Sequence, residues 1–211
     1  MEHHYPEIQS TRNPLVLRFK SLQRAKGRRE EGLFLSAGRK VVTEALAAGL
    51  KPVAVFCSPR ALQPAAAERD LLPRLRRESV YLVNDAVLAA ATDTVSPQPL
   101  VAAFPLPQPP ALAEQQGFCL ALDCLQDPGN MGSILRSGDA LGADWLLLGL
   151  GCAAPYAPKT LRSAMGPTFH LPLVQVENLP AAMQNMAEGD DHFLCGDLLG
   201  EGPVPLALPT H

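Results

Sequence analysis

The 211-residue sequence predicts an α/β protein of two lobes, a small mixed α/β lobe followed by a parallel-sheet lobe. Three observations carry that expectation. From Phe118 onward, apolar strand-like runs alternate with helical stretches, the rhythm of a parallel sheet with crossover helices. Ahead of it, "SPQPLVAAFPLPQPPALAEQQG" (96–117) places Pro97, Pro99, Pro105, Pro107, Pro109 and Pro110 where neither a continuous helix nor a central strand can run. The charge also divides there. Residues 1–110 hold 15 Lys and Arg against 10 Asp and Glu, net +5, while residues 111–211 hold 3 against 11, net −8. The boundary is expected near residue 106. That gives a first domain over 1–106, a stiff extended proline-rich linker over 107–117 holding the lobes apart, and a second domain over 118–211.

The elements follow in order. "NPLVLRFKSLQRAK" sets Leu15, Val16, Phe19 and Leu22 on one helical face. "GLFLSAG" reads as a short strand, "RKVVTEALAAG" as a helix ending at Gly49, and "KPVAVFCS" as a strand. A helix over "PAAAERDLLPRLRRE" is interrupted at Pro73. "SVYLVN", a short helix near "DAVLAAA", and "LVAAF" complete the lobe. In the second lobe "FCLALDCL" is a continuous apolar strand, suited to a sheet covered on both faces. A helix over 131–141, the strand "WLLLGL", a helix near "PKTLRSAM", the strand "FHLPLVQV", a helix over "LPAAMQNMAE" and the strand "HFLCGDL" follow. Ligands of such sheets bind at the carboxyl ends of the strands.

With 47% hydrophobic residues the chain can bury a core, and no apolar run approaches the roughly 20 residues of a membrane span. The opening "MEHHYPEIQSTRNP" lacks the apolar centre of a signal peptide, so a cytoplasmic protein is expected. Five cysteines (Cys57, Cys119, Cys124, Cys152, Cys195), without a C-x-x-C pair, read as small hydrophobes in a reducing compartment. No metal is expected. His3 and His4 form a pair at the terminus, and His170 in "TFHLPL" reads as a strand residue with a local hydrogen bond.

The residues in surplus of folding lie in "LDCLQDPGNMGSILRSGDALGA" (122–143). Pro128 and Gly129 set a turn, and Asn130 is placed to cap the following helix. Gly132 would let a backbone or ligand come close, and Arg136 offers a planar fork of donors suited to phosphate or ribose oxygens. Neither a G-x-G-x-x-G nor a G-K-[ST] loop is present. Lys159 and Arg162, at i and i+3, share a helical face in an otherwise acidic lobe, an anion-binding arrangement. "CGDLLGEG" reads first as a surface turn. The basic residues crowded into the first 40 positions are a solvated face, or a platform for a polyanion.

The stretches "LDCLQDPGNMGSILRSGDALGA" and "APKTLRSAMGPTFHLPL" resemble the first two motifs of the SpoU/TrmH-type RNA ribose 2′-O-methyltransferases of the SPOUT superfamily. Asn130, Gly132 and Arg136 fit the Asn-x-Gly-x-x-x-Arg pattern. "STRNPLVLRFKSLQRAKGRREEGLFL" and "ATDTVSPQPLVAAF" resemble the opening and closing phrases of that family's small substrate-binding domain. The resemblance implies a trefoil-knotted parallel-sheet domain, a homodimer, S-adenosylmethionine as cofactor, and methylation of structured RNA, ribosomal more than transfer RNA. It further implies Arg136 and Asn130 as catalytic residues. Arg24, Lys26, Arg28, Arg29, Arg39, Lys159 and Arg162 are the expected RNA contacts. The alternative is a catalytically inactive RNA-binding or assembly factor on the same fold.

Three departures accompany the resemblance. Ser36-Ala37-Gly38 stands where an acidic residue often precedes glycine, and Ala164 stands where the second motif often has serine, with Ser163 adjacent. The third motif, a glycine-rich loop and closing helix, is expected after "CGDLLGEGPVPL", where the chain instead runs to "ALPTH". The expectation is therefore of a truncated domain with an incomplete knot and weak cofactor binding. Gly196, Asp197 and Leu198 are the cofactor contacts it offers.

Overall fold

The computed structural model describes residues 5–63, 65–76 and 79–186. Two units arise from the contacts, Met1–Leu179 and Pro180–His211, and both sheets lie in the first.

The first lobe is a five-stranded sheet. Helix α1 (Pro14–Ser21) starts where Asn13 accepts from the Leu15 amide at 2.9 Å and Pro14 fixes the first helical residue. The apolar face predicted over 13–26 is buried at Val16, Phe19 and Leu22, but the helix breaks before Ala25 and resumes as α2 (Ala25–Glu31). Two residues close that corner. A Cβ on Gly27 would collide with the Ser21 carbonyl, so only glycine lets α2 fold back there. Arg28, 6% exposed, donates from Nη1 to the carbonyls of Leu22 and Gln23, each at 3.0 Å. Gly32, at φ +62°, then ends α2 and feeds β2 (Leu33–Ala37).

Helix α3 (Arg39–Ala47) runs out at Gly49, φ +82°, as its sequence predicts. Strand β3 (Ala54–Cys57) follows. No α-helix forms over 65–76, contrary to expectation: two 3-10 turns, Pro59–Leu62 and Leu72–Arg74, flank irregular chain. Pro73 would break a helix through this stretch and instead sits in the 3-10 turn Leu72–Arg74. Leu71 and Leu75 instead anchor the segment by burial. Strand β4 (Val80–Val83), helix α4 (Asp85–Thr92) and strand β5 (Leu100–Pro105) complete the lobe, with Asn84 capping α4 through the Val87 amide at 2.9 Å. A two-residue strand, Glu7–Ile8, pairs parallel with β4 and was not anticipated. Numbering it β1, the sheet order is β1-β4-β3-β5-β2, with β5 antiparallel to both β3 and β2. Alternation along β2 splits the core: Phe34 packs with Val42, Val55 and Phe104 on the α3 side, while Leu33 and Leu35 pack with Val16, Phe19 and Leu88 on the other. There the Phe19 and Phe56 rings stack with centroids 3.9 Å apart.

The second lobe holds β6 (Cys119–Leu122), β7 (Trp145–Leu148) and β8 (Leu173–Gln175), all parallel in the order β6-β7-β8, with α5 (Pro128–Ala140), α6 (Pro158–Ala164) and α7 (Leu179–Met186) between and after them. Strand β7 is buried throughout. Strand β6 is not: it is one edge of the sheet among the described residues and its side chains are half-exposed, so full coverage fails for this strand. The strand expected over 169–176 shortens to β8, because Pro167–Phe169 turns as 3-10 helix and Pro172, lacking an N–H, contributes only its carbonyl, which accepts from Leu146 at 2.9 Å. The "HFLCGDL" strand lies outside the described residues.

The two sheets pack directly through α6, so the proline-rich stretch does not hold the lobes apart. Leu161 is 2% exposed within the first lobe's core, and the Phe34 ring meets Tyr156 at 5.1 Å and Phe169 at 5.8 Å. Leu106 is pinned back to the Gly32 carbonyl at 2.8 Å. Among the described residues, no helix is long and apolar enough to cross a membrane.

Candidate functional site

The turn before α5 gathers the residues singled out by sequence, but the cap differs. Asp127 is the N-cap, accepting from the Asn130 amide at 2.8 Å. Asn130 is the third residue of the helix, with an exposed side chain. Both residue types cap well. Pro128 decides between them, because its fixed φ and missing N–H suit the first helical position, which puts the cap one residue earlier. The Asn130 amide, and secondarily the Lys159 ammonium at 3.7 Å, hold the Asp127 carboxyl below the ordinary carboxylate range.

Gly132 is taken up by the protein itself rather than left for a ligand. A Cβ there would stand 2.7 Å from the Ala164 amide nitrogen and 2.8 Å from Ser163 Oγ, so α6 crosses α5 against bare backbone. At the same crossing the Ser163 hydroxyl donates to the Gly129 carbonyl at 3.0 Å. Gly138 makes similar room for Leu120 of β6, whose Cδ1 is 2.6 Å from where a Cβ would sit.

Arg136 follows Gly132 by one turn, at the flank of this crossing. It is exposed, with no hydrogen-bond or ion-pair partner among the described residues. Asn130 and Arg136, six residues apart, lie about 120° apart around the helix axis and so do not share a face.

Lys159 and Arg162 also part company. Lys159 reaches back to Asp127, whereas Arg162 lines a small cleft with Gln23, Leu35 and Thr92 of the first lobe. Of the three cations in the second lobe, Arg136 and Arg162 are thus left unpaired among the described residues.

The basic stretch of the first lobe sorts in the same way. Arg24 and Arg29 are exposed and unpaired among the described residues. Lys26 makes a loose pair with Glu30 at 3.7 Å, both well exposed. Arg39 is held by Asp70 at 2.7 Å, and Arg18 by Glu31 at 2.6 Å. Arg28 is removed from the expected RNA face altogether, since its guanidinium is buried on backbone carbonyls. Burial also lowers its pKa.

The carboxyl ends of β6 and β7 carry features the sequence did not single out. Cys124, at φ +49°, donates its thiol to the Leu150 carbonyl at 3.4 Å, and Cys152 to the Leu122 carbonyl at 3.2 Å. Cys124 is exposed, unlike the buried Cys57, whose thiol burial pushes up to about 12. The Asp123 carboxylate beside it raises the Cys124 thiol as well. His170 is not in a strand: it follows the 3-10 turn, is exposed, and places Nε2 3.3 Å from Glu44 of α3. Gly196, Asp197 and Leu198 lie outside the described residues.

Comparison with known proteins gives two family matches: a model described as the MRM3-like substrate binding domain over residues 13–102, and one described as the SpoU rRNA Methylase family over residues 117–202. The 23S rRNA (guanosine(2553)-2′-O)-methyltransferase RlmP of Bacillus subtilis is 32% identical over 184 residues, covering 87% of this chain and 70% of its own. An uncharacterized tRNA/rRNA methyltransferase of Synechocystis is 38% identical over 185 residues, covering 84% of this chain and 65% of its own. The crystal structure of an AdoMet-bound rRNA methyltransferase from Sinorhizobium meliloti superposes with a TM-score of 0.70 at 30% identity, covering 87% of this chain and 69% of that one. This chain therefore spans 65% to 70% of the length of these bacterial proteins. It spans 36% of the human mitochondrial rRNA methyltransferase 3, to which it is 32% identical over 155 residues.

Proposed function

The chain belongs to the SpoU rRNA methylase family, and from that premise we propose that it transfers a methyl group from S-adenosylmethionine to a ribose 2′-hydroxyl of structured RNA, ribosomal in preference to transfer RNA. One observation carries this reading beyond kinship. In a lobe whose formal charge is −8, Arg136 stands exposed and unpaired among the described residues, on the helix whose first turn carries Asn130. Its fork of donors is shaped to grip a phosphate and an adjacent ribose oxygen. A guanidinium offers N–H donors and no acceptor with which to take the hydroxyl proton, so its role is to hold the nucleotide. When bound, the cofactor supplies an electrophilic methyl on a sulfonium. The protein's part is to align the hydroxyl with it and exclude other geometries. The strand ends suit a cationic cofactor in charge: Asp123 is exposed at the end of β6, 3.0 Å from where a Cβ on Gly149 would stand, and no cation pairs with it among the described residues. The AdoMet-bound state of the Sinorhizobium protein supports the cofactor's identity.

On this reading residues 1–106 engage RNA through Arg24 and Arg29, with Lys26 loosely tethered beside them. Residues 107–117 form the linker, and the lobe over 118–211 carries the chemistry, working in a homodimer. A cytoplasmic location is supported by the bacterial rRNA methyltransferase relative. The test is transfer of tritiated methyl from S-adenosylmethionine to deproteinised ribosomal RNA by protein expressed from the complete gene. Label on a ribose 2′-oxygen, lost in Arg136→Ala while the fold persists, is the expected result. RNA binding without any transfer would refute the enzyme reading in favour of an inactive RNA-binding factor.

A further inference from the structure

We propose that Ser163 is a positioning residue for this reaction: its hydroxyl, through the Gly129 carbonyl, fixes the first turn of α5, which carries Asn130. The inference rests on the function proposed above and concerns a residue outside the Asn-x-Gly-x-x-x-Arg pattern.

A serine inside a helix ordinarily returns its hydroxyl to the carbonyl four residues back. Ser163, on the last full turn of α6, does not: its Oγ donates across the helix crossing to Gly129 at 3.0 Å, in a half-buried setting. That reach is possible because Gly132 has no side chain, which brings the two backbones together at Ala164. The neighbouring link between Lys159 and Asp127 is 3.7 Å long with both side chains more than half exposed, so it is a weak and salt-screened tie. Ser163 therefore supplies the directed bond of the crossing. Its helix is anchored in turn, because Leu161 is buried in the first lobe's core and Met165, at φ +58°, turns the chain sharply after it. The position of the α5 turn is thus referred, through one hydroxyl, to a rigid element rooted in the other lobe. A turn that carries a reacting-centre residue tolerates little displacement, and a shift near 1 Å lowers turnover by about a hundredfold.

Ser163→Ala keeps the Cβ that packs the crossing and removes only the hydroxyl. In protein from the complete gene, with deproteinised ribosomal RNA and tritiated S-adenosylmethionine, kcat is expected to fall about tenfold to a hundredfold. KM for RNA should stay within about twofold, and the melting temperature within about 4 °C. Combined with Asn130→Ala, the two losses should not add, because Ser163 acts through the turn that carries Asn130. Amide hydrogen exchange supplies a readout independent of activity: the amides of residues 130 and 131 should exchange faster in Ser163→Ala and unchanged elsewhere in α5. Unchanged kcat and unchanged exchange would overturn the proposal, as would a loss confined to KM or one strictly additive with Asn130→Ala. If neither Asn130→Ala nor Arg136→Ala affects transfer, the active-site assignment fails instead, and the exchange data alone then judge whether Ser163 holds the turn.

Discussion

Replacing Gly132 by alanine separates two physical accounts of α5 by the sign of the effect. If Gly132 were simply a poor helix former in a 13-residue helix, alanine would stabilise the protein by about 1 kcal/mol. The crossing with α6 predicts the opposite. The new methyl would lie 2.7 Å from the Ala164 nitrogen and 2.8 Å from Ser163 Oγ, where ordinary contact begins beyond about 3.4 Å. One of these neighbours is backbone in a helix anchored by Leu161, so relief requires α5 and α6 to separate by several tenths of an ångström. Overpacking of that kind costs about 1–3 kcal/mol, and separation also breaks the bond from Ser163 to Gly129, worth about 1 kcal/mol. Set against the propensity gain, a net loss of about 2 kcal/mol remains. For a chain of this size that is a fall of roughly 4–8 °C in melting temperature. Gly129→Ala in the same helix is the control: its Cβ meets only the movable Asp127 carboxylate at 2.8 Å, so a smaller effect is expected. Adding Ser163→Gly to Gly132→Ala should recover part of the loss but not all, since the Ala164 nitrogen stays in place. Urea or thermal unfolding reads all four proteins, and a Gly132→Ala variant at least as stable as wild type would refute the close crossing.

The cations make a second set of predictions. Arg28→Met should destabilise by about 2–3 kcal/mol in urea unfolding, by orphaning the Leu22 and Gln23 carbonyls, whereas Arg29→Ala should fall within about 0.5 kcal/mol of wild type; equal effects would contradict the burial difference. Reversing Arg24 and Arg29 together to glutamate should weaken RNA binding and flatten the slope of log affinity against log salt by about 1.5–2, and an unchanged slope rejects the first lobe as the RNA platform. The pH dependence of α5 follows from Asp127. Because its folded-state pKa is depressed, the stability it contributes is fully present above the unfolded carboxylate value of about 3.9 and is lost as pH falls through the lower folded value. Asp127→Asn should therefore narrow its stability gap to wild type below about pH 4, and a gap constant down to pH 2 would remove the charge from the account.

Much of the first lobe is legible because local and tertiary signals agree there. The period-2 run Leu33-Phe34-Leu35 has a core on each side of its sheet, and Asn84 caps α4 through the Val87 amide. The failures occur where two local signals compete. Asp127 and Asn130 are equally good caps three residues apart, and only the placement of Pro128 chooses between them. The Ala- and Leu-rich stretch after Pro64 has helical composition but is interrupted at Pro73, and buried Leu71 and Leu75 settle its path instead. The corner between α1 and α2 was invisible because the spacing of Leu15, Val16, Phe19 and Leu22 fits a straight helix. What bends the chain is the absence of a side chain at Gly27 and the reach of Arg28 to carbonyls five and six residues behind it.

Charge is where the sequence was least able to distinguish its own residues. Arg24, Lys26, Arg28 and Arg29 form one basic run, yet they divide into two free arginines, one loosely paired lysine and one buried arginine. The division follows from helix geometry: α2 turns one face toward the end of α1, and whichever long side chain falls on that face must find acceptors there or be excluded from the core. The acidic lobe shows the same sorting with larger consequence. Lys159 lies loosely against Asp127, whereas Arg136, one turn beyond Gly132 on the neighbouring helix, keeps its donors. A net charge of −8 repels polyphosphate over roughly a Debye length, about 8 Å at physiological salt. On the proposed function, an RNA brought to this lobe is held by the basic one, while the arginine acts only at contact range, where its geometry outweighs the field around it. On that reading capture and alignment fall to different residues, which is why composition alone hinted at a polyanion partner and could not point to Arg136.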